Sequence, residues 1–261
     1  MMAAFASDGY AALAPVYDRL NDDIDYGAWA DYIAGQFAKE FRGEDKPTLL
    51  LELGCGTGSM TRELCRRGFD MTALDISEDM LSVAEERLRD EGIENVLWLH
   101  ESMADFELYG TVDGVVCCLD GINHLTGRDE LADCFHLVAQ YLNPGGLFLF
   151  DVNTPEKFRT KYADNDYLLE RDGAVLCWSN RLNKKGDVCD FLLTVFEEQP
   201  SGLYKRTDGV TRERCYGLRA LQNHAKAAGL TWVSCHGALD GSEKTLHIDA
   251  KIGSCLHFSA H

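Results

Sequence analysis

The 261-residue sequence predicts an α/β fold: a doubly wound, mostly parallel sheet with helices on both faces, carrying an inserted antiparallel sheet. Two observations carry the reading. Between residues 48 and 153, apolar runs of strand length alternate regularly with stretches of helical period, and the first run, "TLLLELG", is continuously apolar, as a strand buried on both faces requires. Between about 160 and 216 the pattern changes, and "YLLERDGAVLCWSNRL", "CDFLLTVFEEQ" and "LYKRTDGVTRERCY" read as antiparallel strands joined by "NKKGD" and "PSG" turns.

The chain opens on helical periodicity, with Leu13, Val16, Tyr17 and Leu20 on one face and, after the acidic "NDDIDY", Trp29, Ile33 and Phe37 on another. Two amphipathic helices are expected before Pro47. The loop "GCGTG" then joins the first strand to a helix running to about Arg67. Strand "DMTALD" leads to helix "EDMLSVAEERLRDEG", where Met80, Leu81, Ala84 and Leu88 form the inward stripe and Gly92 is the stop. Strands "NVLWLH" and "VDGVVCCL", helix "RDELADCFHLVAQYL", turn "NPGG" and strand "LFLFDVN" follow. Beyond the inserted sheet the alternation resumes with "LRALQNHAKAAG", "LTWVSCHGA" and a last strand near "SCLHFSA". The expected organisation is a helical lead-in over 1–46, an α/β domain over 47–159 and 217–261, and an inserted lid over 160–216.

Composition narrows the function classes. With 46% hydrophobic and 26% charged residues the chain has the balance of a globular enzyme-sized protein, not a disordered or fibrous one. A net charge of −18 repels nucleic-acid phosphates and anionic membranes, so a nucleic-acid partner is not expected. Ten cysteines without a CxxC pair point to neither a zinc site nor a redox motif, and fit reduced thiols in cytoplasm. The first twenty residues lack the basic start of a signal peptide, and no apolar stretch reaches membrane-spanning length.

The chemistry concentrates in two places. Gly54, Gly56 and Gly58 exclude side chains from a strand-to-helix turn, which lets a ligand touch backbone and use the unpaired N–H groups of the helix. With Glu52 they spell ExGxGxG, whereas a dinucleotide fingerprint needs GxGxxG or GxGxxA; its sixth position is Ser59 counted from Gly54 and Thr61 counted from Gly56. Asp75 ends the second strand seventeen residues after Gly58. In a doubly wound sheet that places a carboxylate beside the glycine loop, able to accept hydrogen bonds from both hydroxyls of a ribose. Its other available role is capping the helix that starts near Ser77.

"LLLELGCGTG", "TALDISEDML", "VDGVVCCLDGINHL" and "LNPGGLFLFDVNT" together resemble the successive motifs of class I S-adenosylmethionine-dependent methyltransferases, and "LAPVYDRLNDDIDYGAWADYI" resembles a bacterial, YqeM-like subgroup acting on small molecules. The resemblance implies a seven-stranded sheet of order 3-2-1-4-5-7-6 with its last strand antiparallel. It implies that Gly54, Gly56 and Gly58 line the methionine portion of S-adenosylmethionine, that Asp75 holds the ribose, that Ile76 lies against the adenine with Ser102 and Met103 at its edge, and that Glu52, Cys55 and Met80 also belong to the cofactor site. Leu119 is expected near the sulfonium, with Tyr17, Tyr26 and Trp29 closing over the cofactor. Ser102 stands where the subgroup usually has an aspartate, so the contact to the adenine amine is lost or passes to Glu101 or Asp105.

Methyl transfer is an in-line displacement that needs alignment in a dry pocket more than a dedicated base. If the acceptor must lose a proton, His124 is best placed to take it, with Tyr17 as the second candidate; the alternative for His124 is a hydrogen-bonded histidine in a turn. Asp120 either caps the following helix or faces the substrate. Arg206, Glu213, Arg214 and Tyr216 either face the acceptor from the inserted sheet or are ordinary strand polar residues. The lid histidine common in the subgroup is absent from "TRERCY". The competing readings are a nicotinamide-dependent oxidoreductase on a similar sheet, a cofactor-binding module without transferase activity, and a tRNA-modifying enzyme.

Overall fold

The computed structural model describes residues 9–40, 48–236 and 253–260. The expected end of the lead-in at Pro47 and the first eight residues lie outside them.

Seven strands form the central sheet: β1 (Leu49–Leu53), β2 (Asp70–Asp75), β3 (Leu97–His100), β4 (Val112–Cys117), β5 (Leu142–Asn153), β10 (Leu230–His236) and β11 (Gly253–Ala260). Their order is β10-β11-β5-β4-β1-β2-β3, the expected 3-2-1-4-5-7-6 once the inserted strands are set aside. β1 to β5 pair parallel with one another, while β11 runs antiparallel to both β5 and β10. The continuous apolar runs follow from burial on two faces. Leu50, Val116, Leu147 and Leu149 pack on one side with Ile33, Phe37 and Leu64. Leu51, Leu53, Val115, Cys117, Phe148 and Phe150 pack on the other with Phe135, Val138 and Leu221.

The helices that cover these faces are α3 (Tyr26–Glu40), α4 (Ser59–Arg66), α5 (Glu78–Asp90), α6 (Glu130–Tyr141) and α8 (Leu218–Ala227). In α5 the buried residues are Met80, Leu81, Ala84 and Leu88, the stripe read from the sequence. Ser77 caps its start by accepting from the Met80 N–H, and Gly92, at φ 77°, ends it as the Gly92 and Ile93 N–H groups return to the Arg89 and Leu88 carbonyls. Gly114 has a packing reason: a Cβ there would lie 2.2 Å from the Phe37 ring, so the glycine is what lets α3 lie flat on β4.

Between β5 and α8 the chain makes α7 (Pro155–Lys157), a π-helical turn over Phe158–Tyr162, and a four-stranded antiparallel sheet. Its strands are β6 (Asp166–Arg171), β7 (Ala174–Leu182), β8 (Val188–Glu198) and β9 (Tyr204–Arg214), in that spatial order. In β8, Cys189, Phe191, Leu193 and Val195 alternate inward, as a sheet with one buried face requires. That face is covered by α1 (Gly9–Leu13) and α2 (Tyr17–Leu20) through Leu13, Val16 and Leu20.

Three local expectations differ. The first lead-in helix breaks into α1 and α2 at Ala14–Val16, because Pro15 offers no N–H and disfavours helical backbone at the residue before it. "YLLERDGAVLCWSNRL" is a hairpin and not one strand: Asp172 and Gly173, at φ 40° and 73°, form its two-residue turn. "NPGG" lies within β5, whose pairing with β4 begins at Leu142 opposite Val112 and shifts register before Gly114. Among the described residues no helix is long and apolar enough to cross a membrane.

Candidate active site

A cavity of about 180 Å³ opens at the carboxyl ends of β1, β2 and β4, under α1–α3. Thirteen of the fifteen residues given a cofactor or catalytic role from the sequence line it: Glu52, Gly54, Cys55 and Gly56 from β1 and its loop; Asp75, Ile76 and Met80 after β2; Ser102 and Met103 after β3; Leu119 and His124 after β4; and Tyr17 and Tyr26 from the lead-in.

The glycine loop is held to β2 by two successive N–H groups. The Cys55 N–H donates to the Leu74 carbonyl (3.0 Å), and the Gly56 N–H donates to Asp75 Oδ2 (2.7 Å). Asp75 Oδ1 accepts from the Ser77 N–H (2.8 Å), so this carboxylate is anchored on both oxygens while lining the cavity; the helix cap is Ser77 itself. Gly54 and Gly56 have φ of 69° and 54° on the cavity wall, where they leave room for close backbone approach. Gly58, at φ 72°, is a different case and does not line the cavity. A Cβ there would lie 3.0 Å from Ala84 and 3.2 Å from Trp98, so the third glycine lets the loop pack on α5 and β3. Trp29 also lies off the wall, buried with Ile33 and Phe37. Ile76, 65% exposed, forms an apolar rim that His100 steadies by donating to the Ile76 carbonyl (2.9 Å).

Glu52 is only 3% exposed, and its Oε2 accepts from the Thr61 hydroxyl at 2.5 Å. Burial, with a smaller contribution from Asp75, pushes its carboxyl up to about 8 against the lowering by Thr61.

The lead-in is pinned to this site by adjacent residues of α2. Asp18 Oδ1 accepts from the Thr57 and Ser59 hydroxyls (2.8 and 3.0 Å) and Oδ2 from Arg87 (2.7 Å), while Arg87 also donates to the Thr57 carbonyl. Arg19 reaches the opposite way, to Glu197 of β8 (2.8 Å) and the Asp172 carbonyl (3.0 Å). One short helix therefore joins the glycine loop to the inserted sheet.

On the far side, Leu119 and Asp120 follow β4 with φ of 56° and 60°, a costly conformation for two consecutive non-glycine residues. Asp151 Oδ2 fixes that turn by accepting from the Asp120 N–H (2.9 Å). Asp120 makes no cap with its side chain; its Oδ2 accepts from Asn153 Nδ2 (2.6 Å), which also meets Glu213 (2.7 Å) and the Tyr162 hydroxyl (2.9 Å). Burial raises the Asp151 carboxyl to about 7 and holds the Glu213 carboxyl well above its usual range, with Asp120 adding to both. Glu213 is thus part of the seam between sheet and insert. Arg214 and Tyr216 fasten the same seam by donating to the Thr126 and Leu125 carbonyls, whereas Arg206 is exposed and pairs with Asp208.

His124 is one side of a pair that the sequence reading missed. Tyr10 lines the cavity, and its hydroxyl lies 2.8 Å from His124 Nε2. Its seven-residue spacing from Tyr17 was the available signal, and the rings lie 6.4 Å apart. Burial raises the phenols of Tyr10 and Tyr17 well above their ordinary value, so both stay protonated. Thr57 and Ser59, the hydroxyls among the glycines, also line the wall unpredicted.

Comparison with known proteins bears on this geometry. Residues 50–146 match the family model described as a methyltransferase domain. YqeM of Bacillus subtilis (strain 168), a methyltransferase by name, is 29% identical over 66% of the chain and 66% of its own length, so the chain spans just under two thirds of that relative. An S-adenosylmethionine-dependent methyltransferase from Clostridium acetobutylicum ATCC 824 superposes with a TM-score of 0.82 at 26% identity, over 96% of this chain and 98% of that one. The chain therefore carries a match to a methyltransferase domain and is similar to class I S-adenosylmethionine-dependent methyltransferases of the YqeM-like group. The dTDP-3-amino-3,4,6-trideoxy-alpha-D-glucopyranose N,N-dimethyltransferase of Streptomyces venezuelae is 29% identical over 67% of the chain and 71% of its length. The wall suits the methyltransferase cofactor: Gly54 and Gly56 leave the backbone accessible beside Asp75, and the Asp75 carboxylate favours a sulfonium cation.

Proposed function

We propose that this methyltransferase moves the methyl group to a nitrogen or oxygen nucleophile of a small molecule by in-line displacement. The observation that carries the reading is one cavity whose wall combines the glycine loop and Asp75 with Tyr10, Tyr17 and His124. In this reading Glu52, Gly54, Cys55 and Gly56 hold the amino-acid end of the cofactor and Asp75 accepts from its ribose. Ile76, Met80, Ser102 and Met103 enclose the adenine, Leu119 neighbours the sulfonium, and Gly58 and Trp29 act by supporting the wall.

The bound cofactor supplies an electrophilic methyl group. The chain supplies a dry, aligned space, which suffices for much of the rate in such a displacement. Tyr17 and Tyr26 exclude water from above, and His124 is the group able to take a proton. The lead-in acts as cover, and the inserted sheet backs the lead-in through Leu13, Val16 and Leu20 without lining the cavity among the described residues. The relatives' names include dimethylation of a sugar amine, which supports a small-molecule acceptor. A cytoplasmic setting is supported by nine described cysteines that form no disulfide.

Calorimetric titration with S-adenosylhomocysteine, the demethylated cofactor, tests the site. Binding is expected, and Asp75→Ala is expected to weaken it by about 2 kcal/mol, since the change removes an anionic acceptor from the ribose and from the Gly56 N–H. Unchanged affinity in that variant removes Asp75 from the cofactor site. No binding at millimolar ligand refutes the reading.

A further inference from the structure

Strand β5 carries one carboxylate in an apolar run. In "LFLFDVN", Asp151 is 8% exposed between the buried Phe150 and Val152, and it does not line the cavity. Burial, then the charge of Asp120, raises its carboxyl to about 7 against the lowering by the Asp120 and Leu119 N–H groups. The stability that this group contributes is complete below its usual 3.8 and is lost as the pH rises toward about 7. Stability alone therefore does not account for a carboxylate at this position.

What Asp151 holds is the strained turn after β4. Leu119 and Asp120 both have left-handed backbone, and the chain then folds back tightly, since a Cβ at Gly121 would lie 2.6 Å from Cys117 Sγ. Leu119 and Gly121 line the cavity on either side of Asp120, which does not. Asp120 is gripped at three atoms. Its N–H donates to Asp151 Oδ2 (2.9 Å), its carbonyl accepts from the Asn123 N–H (2.8 Å), and its Oδ2 accepts from Asn153 Nδ2 (2.6 Å). The Asp151 contact is on the main chain and is anchored in the central sheet, so it acts on the strained dihedrals directly. A strained conformation persists where its surroundings over-determine it. Were this one to relax, Leu119 and Gly121 would leave their places on the wall together.

We propose that Asp151 is a positioning residue for the cofactor, acting through the Leu119–Asp120 turn to keep Leu119 and Gly121 on the cavity wall. The proposal rests on the methyl-transfer reading and deepens it, because it assigns to that site a residue that lies outside the wall. The held turn and the bound cofactor then stabilise one another. By linkage, the factor that the held turn adds to cofactor affinity is the factor that the cofactor adds to holding the turn.

The test titrates S-adenosylhomocysteine by calorimetry into the full chain and three variants. Asp151→Leu, which keeps the volume and removes the acceptor, is expected to bind roughly tenfold more weakly, the factor of one lost hydrogen bond to a charged acceptor. Asp151→Asn, which keeps an oxygen for the Asp120 N–H, is expected to bind within about threefold of the unmodified protein. The control is Asp113→Ala. Asp113 accepts from the Thr48 and Leu49 N–H groups (3.0 and 3.1 Å) at the end of β1 away from the cavity, and its loss is expected to leave the affinity unchanged. A second measurement needs no variant. In the unmodified protein, S-adenosylhomocysteine is expected to slow hydrogen exchange of the Asp120 amide roughly tenfold more than that of the Leu49 amide, the same coupling read from the other side. An Asp151→Leu variant that binds like the unmodified protein, an asparagine variant as weak as the leucine one, equal weakening by Asp113→Ala, or equal slowing of the two amides overturns the proposal. Failure of S-adenosylhomocysteine to bind the unmodified protein would instead strike the methyl-transfer reading, and the proposal with it.

Discussion

Replacing Glu52 by glutamine should change how stability depends on pH. Glu52 is 3% exposed, its one hydrogen bond of note comes from Thr61, and burial lifts its carboxyl from the usual 4.5 to about 8. Below about pH 4.5 both the folded and unfolded chains hold this proton, and the group's stabilising contribution is fully present. As the pH rises toward 8 the unfolded chain ionises freely while the folded chain keeps the proton, so that contribution is lost at about 1.4 kcal/mol per pH unit. The whole loss is about 5 kcal/mol, the product of that slope and the shift from 4.5 to about 8. Glutamine keeps the shape and an oxygen for the Thr61 hydroxyl but does not titrate. Between about pH 5 and pH 7.5 the variant should therefore gain roughly 3 kcal/mol relative to the unmodified protein. Urea unfolding of both proteins at several pH values measures this, because every other titrating group cancels in the difference. A difference that stays constant within about 0.5 kcal/mol across that range refutes a proton held on Glu52.

Three further outcomes follow from the same contacts. If the cationic cofactor draws Glu52 into its ionised form, S-adenosylhomocysteine and S-adenosylmethionine should differ: only the sulfonium compound should release close to one proton at about pH 7, seen by calorimetry in buffers of different ionisation enthalpy and absent in Glu52→Gln. Asp18→Ala should cost about 2 kcal/mol in urea unfolding and speed cofactor dissociation, because Thr57, Ser59 and Arg87 all lose their acceptor; a dissociation rate like that of the unmodified protein would argue against the latch. Gly114→Ala should destabilise by about 1–3 kcal/mol through collision with Phe37, and an unchanged denaturation midpoint would contradict the close packing of α3 on β4.

The parts of this molecule that were legible in the sequence are those written locally. The α5 stripe, its Ser77 start and Gly92 stop, and the apolar runs of β1, β2 and β4 each depend on residues within one or two turns of one another. The same holds for Gly54, Gly56 and Asp75, which a loop and a neighbouring strand end bring together. Gly58 shows the limit of that logic, because a glycine spaced like its ligand-facing neighbours is required by Ala84 and Trp98 instead. Tyr10 and His124 are 114 positions apart, and the Asn153–Glu213 contact spans 60, so no local pattern announces either pairing, although Tyr10 by itself stands seven residues before Tyr17. The hairpin at Asp172–Gly173 was legible in principle, since Asp-Gly between two apolar runs is a strong two-residue turn signal.

The placing of Asp18 and Arg19 side by side constrains any attempt to re-engineer this enzyme by exchanging parts. Transplanting residues 160–216 from a homologue would leave Arg19 facing a foreign surface in place of Glu197 and the Asp172 carbonyl, with Asp18 still bound to the loop at the other end. A chimaera that carries residues 9–20 together with the transplanted sheet keeps both handholds matched, so the exchangeable module is discontinuous in the chain although it is one body in space.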